Sequence, residues 1–309
     1  MRIADSYTSN QHRPKLLQDK LLDRLENEQG SWSVEVGWLG EDKPIAQVNP
    51  NQIMKSASLW KLTPLLDAYT RRANLELAFD EPIVITKSVF ERSVSPDQFG
   101  FGDIITVAQA IQWMIITSNN LSAIALGDRL GWQQMDDNMQ KIGLTQSKVN
   151  LRYTISTVGE IRRLLTFIAG YKTDSSNKRI IDRHHREMCS LLIRAKPNQR
   201  IAAAIPSDVP IAHKTGDLVD VVNDAGIVFL PQGPISLVIL SNDIHSRVMA
   251  ESTIVDITKI VYDDLQKAKP TISPPTHLHG IQSSAIAKKH PITPPEYYPP
   301  PDWIDSWLK

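Results

Sequence analysis

A serine hydroxyl and a lysine amine lie three residues apart in the segment 54–61, as Ser58 and Lys61. On one turn of a helix, residues at i and i+3 share a face, so these two side chains can meet. A serine becomes a good nucleophile only beside a base, and a lysine is such a base only where burial or a second cation lowers its pKa. The spacing therefore predicts an amine-activated serine near a helix start.

The same spacing recurs at Ser175 and Lys178, inside the polar run 172–179, which is typical of a solvated loop. Spacing alone cannot choose between the two copies. Two further motifs decide the question.

Ser118 and Asn120 lie in a break between two segments of helical pattern. A loop between helices can direct a hydroxyl and a carboxamide into a cleft. The same residues are also an ordinary start for the helix that follows.

Lys214, Thr215 and Gly216 end a predicted strand. They offer a cation, a hydroxyl and a glycine at which another backbone can approach closely. A strand that simply enters a turn would look similar, so this motif also needs its context.

The first quarter of the chain predicts a helix, a hairpin and a second helix. Helical spacing of leucines covers 14–29, strands are expected over 31–39 and 44–48, and a helix over 55–75. Pro64 lacks an N–H for the helix ladder, so we expect a kink just past Lys61.

The middle of the chain predicts helices, and the last third predicts strands. Residues 81–105 are expected to be loop with short extended pieces. Capping-box spacings open helices at Thr106 and Thr157. Further helices are expected over 121–130, 132–142 and 179–195, strands over 209–214, 225–230 and 235–241, and an amphipathic helix to about 265.

These elements predict an α/β protein of the α+β kind. One mostly antiparallel, five-stranded sheet would use both ends of the chain, with helices flanking it and a cleft beside an all-helical lobe. The sheet lobe would comprise 14–60 and 205–267, and the helical lobe 61–204.

Residues 268–309 hold nine of the 20 prolines, which favours polyproline II or disorder. The apolar residues of 303–308 either dock as a short helix on this chain or a neighbouring one, or belong to a solvated tail. His277 and His279 form a lone His-x-His and predict no metal site.

Composition excludes several classes. Lys+Arg and Asp+Glu balance at 34 each, so no basic field for nucleic acid is present. No apolar run reaches the roughly 20 residues of a membrane span. Residues 1–15 contain no signal peptide, which predicts a cytoplasmic protein, or a periplasmic one if a leader has been removed. Cys189 is the single cysteine and is expected to be buried and inert. No cofactor is predicted.

Ser-x-x-Lys at a helix start, Ser-x-Asn between helices and Lys-Thr-Gly on a late strand resemble, in this order, the signature of the penicillin-recognising serine enzymes. The class A β-lactamases are the most similar group, and the resemblance covers roughly 14–267. It implies a β-lactamase/transpeptidase-like fold with the active site in the cleft. The copy at Ser175 fails the test of order and context.

The resemblance implies catalytic roles for four residues. Ser58 would attack the carbonyl carbon of a β-lactam or related acyl donor, and Lys61 would accept its proton directly or through water. Ser118 would relay a proton to the leaving nitrogen. The backbone N–H groups of Ser58 and Asp217 would form the oxyanion hole, where one donor contributes about 3–4 kcal/mol.

It also implies substrate-binding roles. Asn120 would bond the amide side chain of the substrate and orient Lys61. Lys214 would keep Lys61 partly neutral and attract a substrate carboxylate, which Thr215 would hydrogen-bond beside Gly216.

Two positions depart from the family pattern. Asn119 replaces an Asp of structural importance. The run 146–156 is short and contains no Asp or Glu, although the family carries a water-activating glutamate in this region. Glu160 is nearby, but its capping-box position assigns it to a helix end.

Three functions remain open. The first is a serine hydrolase of β-lactamase type that acylates readily and deacylates slowly. The second is a D,D-peptidase or esterase whose water is activated by Lys61 or Tyr153. The third is a non-catalytic penicillin-binding-type module.

Overall fold

The computed structural model describes residues 16–93, 99–149, 154–171 and 182–266. A 3₁₀ helix spans Ala57–Lys61. The other elements, in chain order, are α1 Leu17–Leu25, β1 Ser31–Trp38, β2 Ala46–Val48, β3 Met54–Lys55, α2 Leu62–Ala73, β4 Pro82–Val84, α3 Lys87–Arg92, β5 Ile104–Thr106, α4 Val107–Ile116, α5 Asn120–Leu130, α6 Trp132–Lys141, β6 Lys148–Val149, β7 Thr154–Ser156, α7 Val158–Ile168, α8 Asp182–Ile193, α9 Ile201–Ala204, β8 Ile211–Leu218, β9 Val221–Leu230, β10 Gly233–Asn242 and α10 Arg247–Leu265.

The main sheet is antiparallel and has five strands in the order β2-β1-β10-β9-β8. Early strand β1 pairs with late strand β10, so Ser31 lies opposite Asn242. Both ends of the chain therefore build one sheet, as the sequence predicts. Strand β8 lies at its edge.

Helices cover both faces of this sheet. Helices α1 and α10 pack on one face with a core that includes Leu21, Val34 and Ile254. On the other face Ile227 and Leu240 join the core of the helical lobe. Because both faces are covered, all ten residues of β9 are buried and the strand lacks an alternating pattern.

The second lobe is mainly helical and also contains short strands. Strands β4 and β5 form a two-stranded sheet, in line with the short extended pieces expected over 81–105, and β3, β7 and β6 form a three-stranded sheet that the sequence did not predict. Each strand of the second sheet has two or three residues, too few for a period-2 pattern. The short helices α3 and α9, of six and four residues, were missed because they are too short for a helical period.

A change of helix type occurs just past Lys61, where the sequence predicts a kink. The 3₁₀ helix ends at Lys61 and α2 begins at Leu62, two residues before Pro64. Pro64 thus lies in the first turn of α2, where N–H groups have no partner within the helix.

Cys189 is fully buried, and burial raises the pKa of its thiol to about 12, in line with an inert residue. Among the described helices none is long and apolar enough to cross a membrane. Within the same ranges no group of three His, Cys, Asp or Glu side chains could hold a metal ion. Ser175, Tyr153 and residues 268–309 lie outside the described residues.

Candidate active site

Three distant segments meet at the Ser118 hydroxyl. Lys61 Nζ donates to Ser118 Oγ at 3.1 Å, to Asn120 Oδ1 at 2.7 Å and to the Ser118 carbonyl. Lys214 Nζ donates to the same Ser118 Oγ at 3.0 Å and to the Thr215 carbonyl at 2.9 Å. Both lysines are fully buried. A hydroxyl that accepts twice uses both lone pairs, so its own proton is left to donate to a third group.

Ser58 lies on the 3₁₀ helix, half-buried, one turn before Lys61. The residue before it, Ala57, has φ +47°, a left-handed conformation that costs a non-glycine residue about 1–3 kcal/mol. Such strain is common at functional sites, where the surrounding structure holds it in place.

Gly216 allows strand β8 to approach the 3₁₀ helix. A Cβ atom at this position would lie 2.8 Å from the Ser56 carbonyl oxygen and 3.2 Å from Ala57 Cβ. The sequence prediction of a close backbone approach at this glycine is therefore confirmed. The contact brings the lysine-bearing strand against the segment that carries Ser58.

The loop between α4 and α5 combines a helix cap with the candidate site. Asn119 is the N-cap of α5, and its Oδ1 accepts a hydrogen bond from Ser122 N at 2.7 Å. An amide oxygen does here what a carboxylate would do, which explains why Asn is accepted at this position. Ser118 has φ +58°, and its side chain meets both lysines instead of the helix end.

Lys214 has a strongly altered acidity. Burial lowers the pKa of its ammonium to about 8, against the opposing attraction of Asp224 and Asp217 and with a small further decrease from Arg200. The group therefore changes charge close to physiological pH.

The backbone of Asp217 is oriented by the hairpin between β8 and β9. Leu218 and Val221 flank a two-residue turn, so they form the hydrogen-bonded pair that closes it. Pairs alternate along an antiparallel ladder. The Asp217 N–H therefore points away from β9, toward the open edge where β8 meets the 3₁₀ helix.

Sequence reasoning missed a charged cluster behind β8. Arg200 is fully buried and donates to the carboxylates of Asp217 and Glu251. His213 Nδ1 lies 3.0 Å from Asp224 Oδ1, and both side chains are buried. The single local signal was Asn223-Asp224, two polar residues at the start of an apolar strand.

Glu160 faces a different structure from the one that its capping-box position predicts. Thr157 Oγ1 does accept from Glu160 N at 3.3 Å. The Glu160 carboxylate, however, accepts from Gln146 N at 2.8 Å and from Ser147 N and Oγ at 2.6 and 2.5 Å. It therefore holds the segment that leads into β6 instead of closing the cap.

A cavity of about 10 Å³ adjoins Glu160 and is also lined by Ser56, Trp60, Ser147 and Ser156. This volume accommodates about one water molecule. Ser58 and Lys61 do not line this cavity. Glu160 therefore adjoins the part of the segment that carries Ser56 and Trp60.

A five-stranded antiparallel sheet, a helical lobe and two buried lysines around one serine define a β-lactamase-type enzyme. The chain belongs to the β-lactamase enzyme family, whose model matches residues 16–265. Among solved structures it is similar to PBP-A, with a TM-score of 0.72 and 18% identity over 82% of this chain and 96% of that one. A class A β-lactamase from Bacteroides cellulosilyticus gives 0.71 and 19% over 82% and 98%. The TLA-1 extended-spectrum β-lactamase gives 0.71 and 17% over 81% and 98%. No curated protein sequence matches the chain.

Proposed function

We propose that this protein is a serine hydrolase that forms an acyl-enzyme at Ser58 with a β-lactam or a related acyl donor. The observation that carries the proposal is the double donation of Lys61 and Lys214 to Ser118 Oγ. It links the base candidate beside Ser58 to a hydroxyl with a proton free for the leaving group.

Acylation then proceeds through proton transfers among Ser58, Lys61 and Ser118. Ser58 Oγ bonds to the carbonyl carbon while its proton passes to Lys61 Nζ. Lys61 accepts it in the neutral form, in which it has given up one of its three donations to Ser118 and Asn120. The backbone N–H groups of Ser58 and Asp217 stabilise the oxyanion. When the C–N or C–O bond breaks, Ser118 donates its proton to the leaving atom. Ser118 is reprotonated by an adjacent lysine ammonium. The products are a Ser58 ester and a protonated leaving group.

Release of the acyl group is proposed to be slow. Water must add to the Ser58 ester, lose a proton to a base and return Ser58 and a carboxylic acid. Residues 146–149 and 154–156 supply no carboxylate, and the Glu160 carboxylate is engaged by the backbone N–H groups of Gln146 and Ser147. A PBP-A mutant is described as an acyl-enzyme complex with penicillin G, so an adduct of this type is chemically accessible to a fold neighbour.

The test is intact-mass measurement after exposure to benzylpenicillin, followed over hours and combined with peptide mapping. We expect one adduct, located at Ser58 and lost over hours, and nitrocefin turnover much slower than labelling. Ser58→Ala should form no adduct, whereas Ser175→Ala should label as the wild type does. An unlabelled wild type with no nitrocefin turnover would contradict the proposal and leave a non-catalytic binding module.

A D,D-peptidase or esterase activity is the second candidate. The missing carboxylate in the described part of 146–156 favours it, because a water activated by Lys61 suits a slower hydrolase. Assays on D-Ala-D-Ala peptides and p-nitrophenyl esters, with Ser58→Ala as the control, distinguish it from a β-lactamase.

A further inference from the structure

The face of β8 that carries Thr215 also carries a closed network of charges. Asp217 lies two residues beyond Thr215 and therefore on the same face of the strand. Arg200 Nη2 donates to Asp217 Oδ1 and, at 3.0 Å, to Glu251 Oε1. Arg247 Nη2 donates to Asp217 Oδ1 at 2.5 Å, and its Nε lies 3.3 Å from Glu251 Oε1. Two guanidinium groups and two carboxylates neutralise one another.

Arg200 is poorly placed to bind a ligand. Its side chain is fully buried, its Nη1 donates to the Asn223 carbonyl at 2.7 Å, and its Nη2 donates to the two carboxylates. Its Nε has no hydrogen-bond partner but is enclosed by the protein. An anion could reach the Nη2 end of this guanidinium only by displacing Asp217 or Glu251.

A second carboxylate lies across the strand pair from Thr215. Asp224 is the direct partner of Thr215 in the β8–β9 ladder, and it is fully buried. It is held by His213 Nδ1 at 3.0 Å and by Ile201 N at 3.1 Å. Directly opposed residues have Cβ atoms about 5 Å apart, and residues two positions along a strand are separated by about 7 Å. Thr215 is thus flanked by two acidic side chains.

Lys214 offers little compensation to an anion at Thr215. Neighbouring residues of a strand point to opposite faces, and the Lys214 ammonium is directed to Ser118 Oγ and the Thr215 carbonyl. It is fully buried.

We propose that Asp217 is a specificity-determining residue that makes the site select acyl donors without a carboxylate next to Thr215. The favoured substrates are then uncharged esters, thioesters or amides. This inference rests on the proposed acylation of Ser58 and adds the charge class of its substrate.

The test compares two thioesters, benzoylglycyl thioglycolate and its methyl ester, which differ in one carboxylate on the leaving group. The initial burst of thiol release gives the acylation rate constant for each, and the ratio of the two is independent of the fraction of folded enzyme. In the wild type we expect the neutral donor to react at least about tenfold faster, because the carboxylate donor would lie between acidic side chains whose cationic partners are already engaged. Asp217→Asn keeps the backbone N–H and should reduce this ratio by about tenfold.

Asp263→Asn is the matched control, since it removes one negative charge from an exposed position of α10. It should leave the ratio within about twofold, because exposed charges beyond a Debye length are screened. If Asp217→Asn does not fold, the inference is still tested by the wild-type ratio of the two acylation rate constants and by the decrease of that ratio with added salt.

A wild-type preference for the carboxylate donor, or a ratio unchanged in Asp217→Asn, would overturn the inference while the proposed function stands. Absence of thiol release from both donors, together with absence of a penicillin adduct, would overturn the proposed function itself.

Discussion

The two sides of the segment that carries Ser58 are built for different tasks. On the side of Lys61, two buried lysines share the Ser118 hydroxyl, and a strained residue precedes Ser58. On the side of Glu160, a carboxylate is saturated by backbone and serine donors around a cavity of one water molecule. The groups on the Lys61 side can transfer protons, whereas Glu160 holds the segment that leads into β6. This difference supports the proposal that acylation is better equipped than deacylation.

The largest expected effect comes from removing the base on the reactive side. Lys61→Met should lower the acylation rate constant by about 10³- to 10⁴-fold, because general-base catalysis is lost. Mass-spectrometric labelling with benzylpenicillin measures it. Lys178→Met, in the second Ser-x-x-Lys copy, is the control and should acylate as the wild type does. A loss of less than tenfold in Lys61→Met would show that Lys61 is not the general base.

Removing the second buried cation should affect stability in a pH-dependent way. The folded pKa of Lys214 is about 8 and lies below its ordinary value of 10.5. Between these values the unfolded chain binds the extra proton, so the wild type gains stability as pH rises, by at most about 3 kcal/mol.

Lys214→Met removes this titration. The advantage in stability of Lys214→Met over the wild type should therefore be greatest near pH 7 and shrink up to pH 10.5. Urea denaturation at several pH values measures the difference. A difference that stays constant with pH would show that the site does not depress the pKa of Lys214.

A methyl group between β8 and the 3₁₀ helix should disturb both stability and chemistry. Gly216→Ala places a Cβ 2.8 Å from the Ser56 carbonyl, and overpacking of this kind costs about 1–3 kcal/mol. We expect a lower midpoint of denaturation and slower acylation. Gly100→Ala serves as the control, because a Cβ there would lie 3.8 Å from its nearest neighbour, Asp103 Oδ2. Unchanged acylation in a folded Gly216→Ala would argue that the two segments can move apart without loss.

The smallest expected effect on catalysis comes from changing Glu160, on the other side of the segment that carries Ser58. Glu160→Gln should weaken the hydrogen bonds to Gln146 and Ser147 and lower stability by about 1–3 kcal/mol. The lifetime of the acyl adduct should change by less than about twofold, since the carboxylate is not proposed to activate water. A much longer-lived adduct in this variant would assign Glu160 to deacylation after all.

Local patterns anticipated the elements but not all of their contacts. The capping box at Thr106 formed in full, whereas the one at Thr157 formed only in part, because the hairpin offered Glu160 stronger donors. Strand β9 was predicted to begin at 225 and in fact begins at Val221. Its polar residues Asn223 and Asp224 are buried by partners that lie far away in the chain.

The sequence by itself determined the three motifs that meet in the site, since their chemistry depends on residue type and on order along the chain. Hydrophobic periodicity, a local property, also predicted strands at both chain ends, and the need to bury their apolar faces predicted that they share one sheet. Only the tertiary structure decided that Arg200 and Arg247 neutralise Asp217 and that the Glu160 carboxylate binds Gln146 and Ser147. Such pairings join ordinary charged residues across long separations, and no local pattern records which of many possible partners a buried charge will meet.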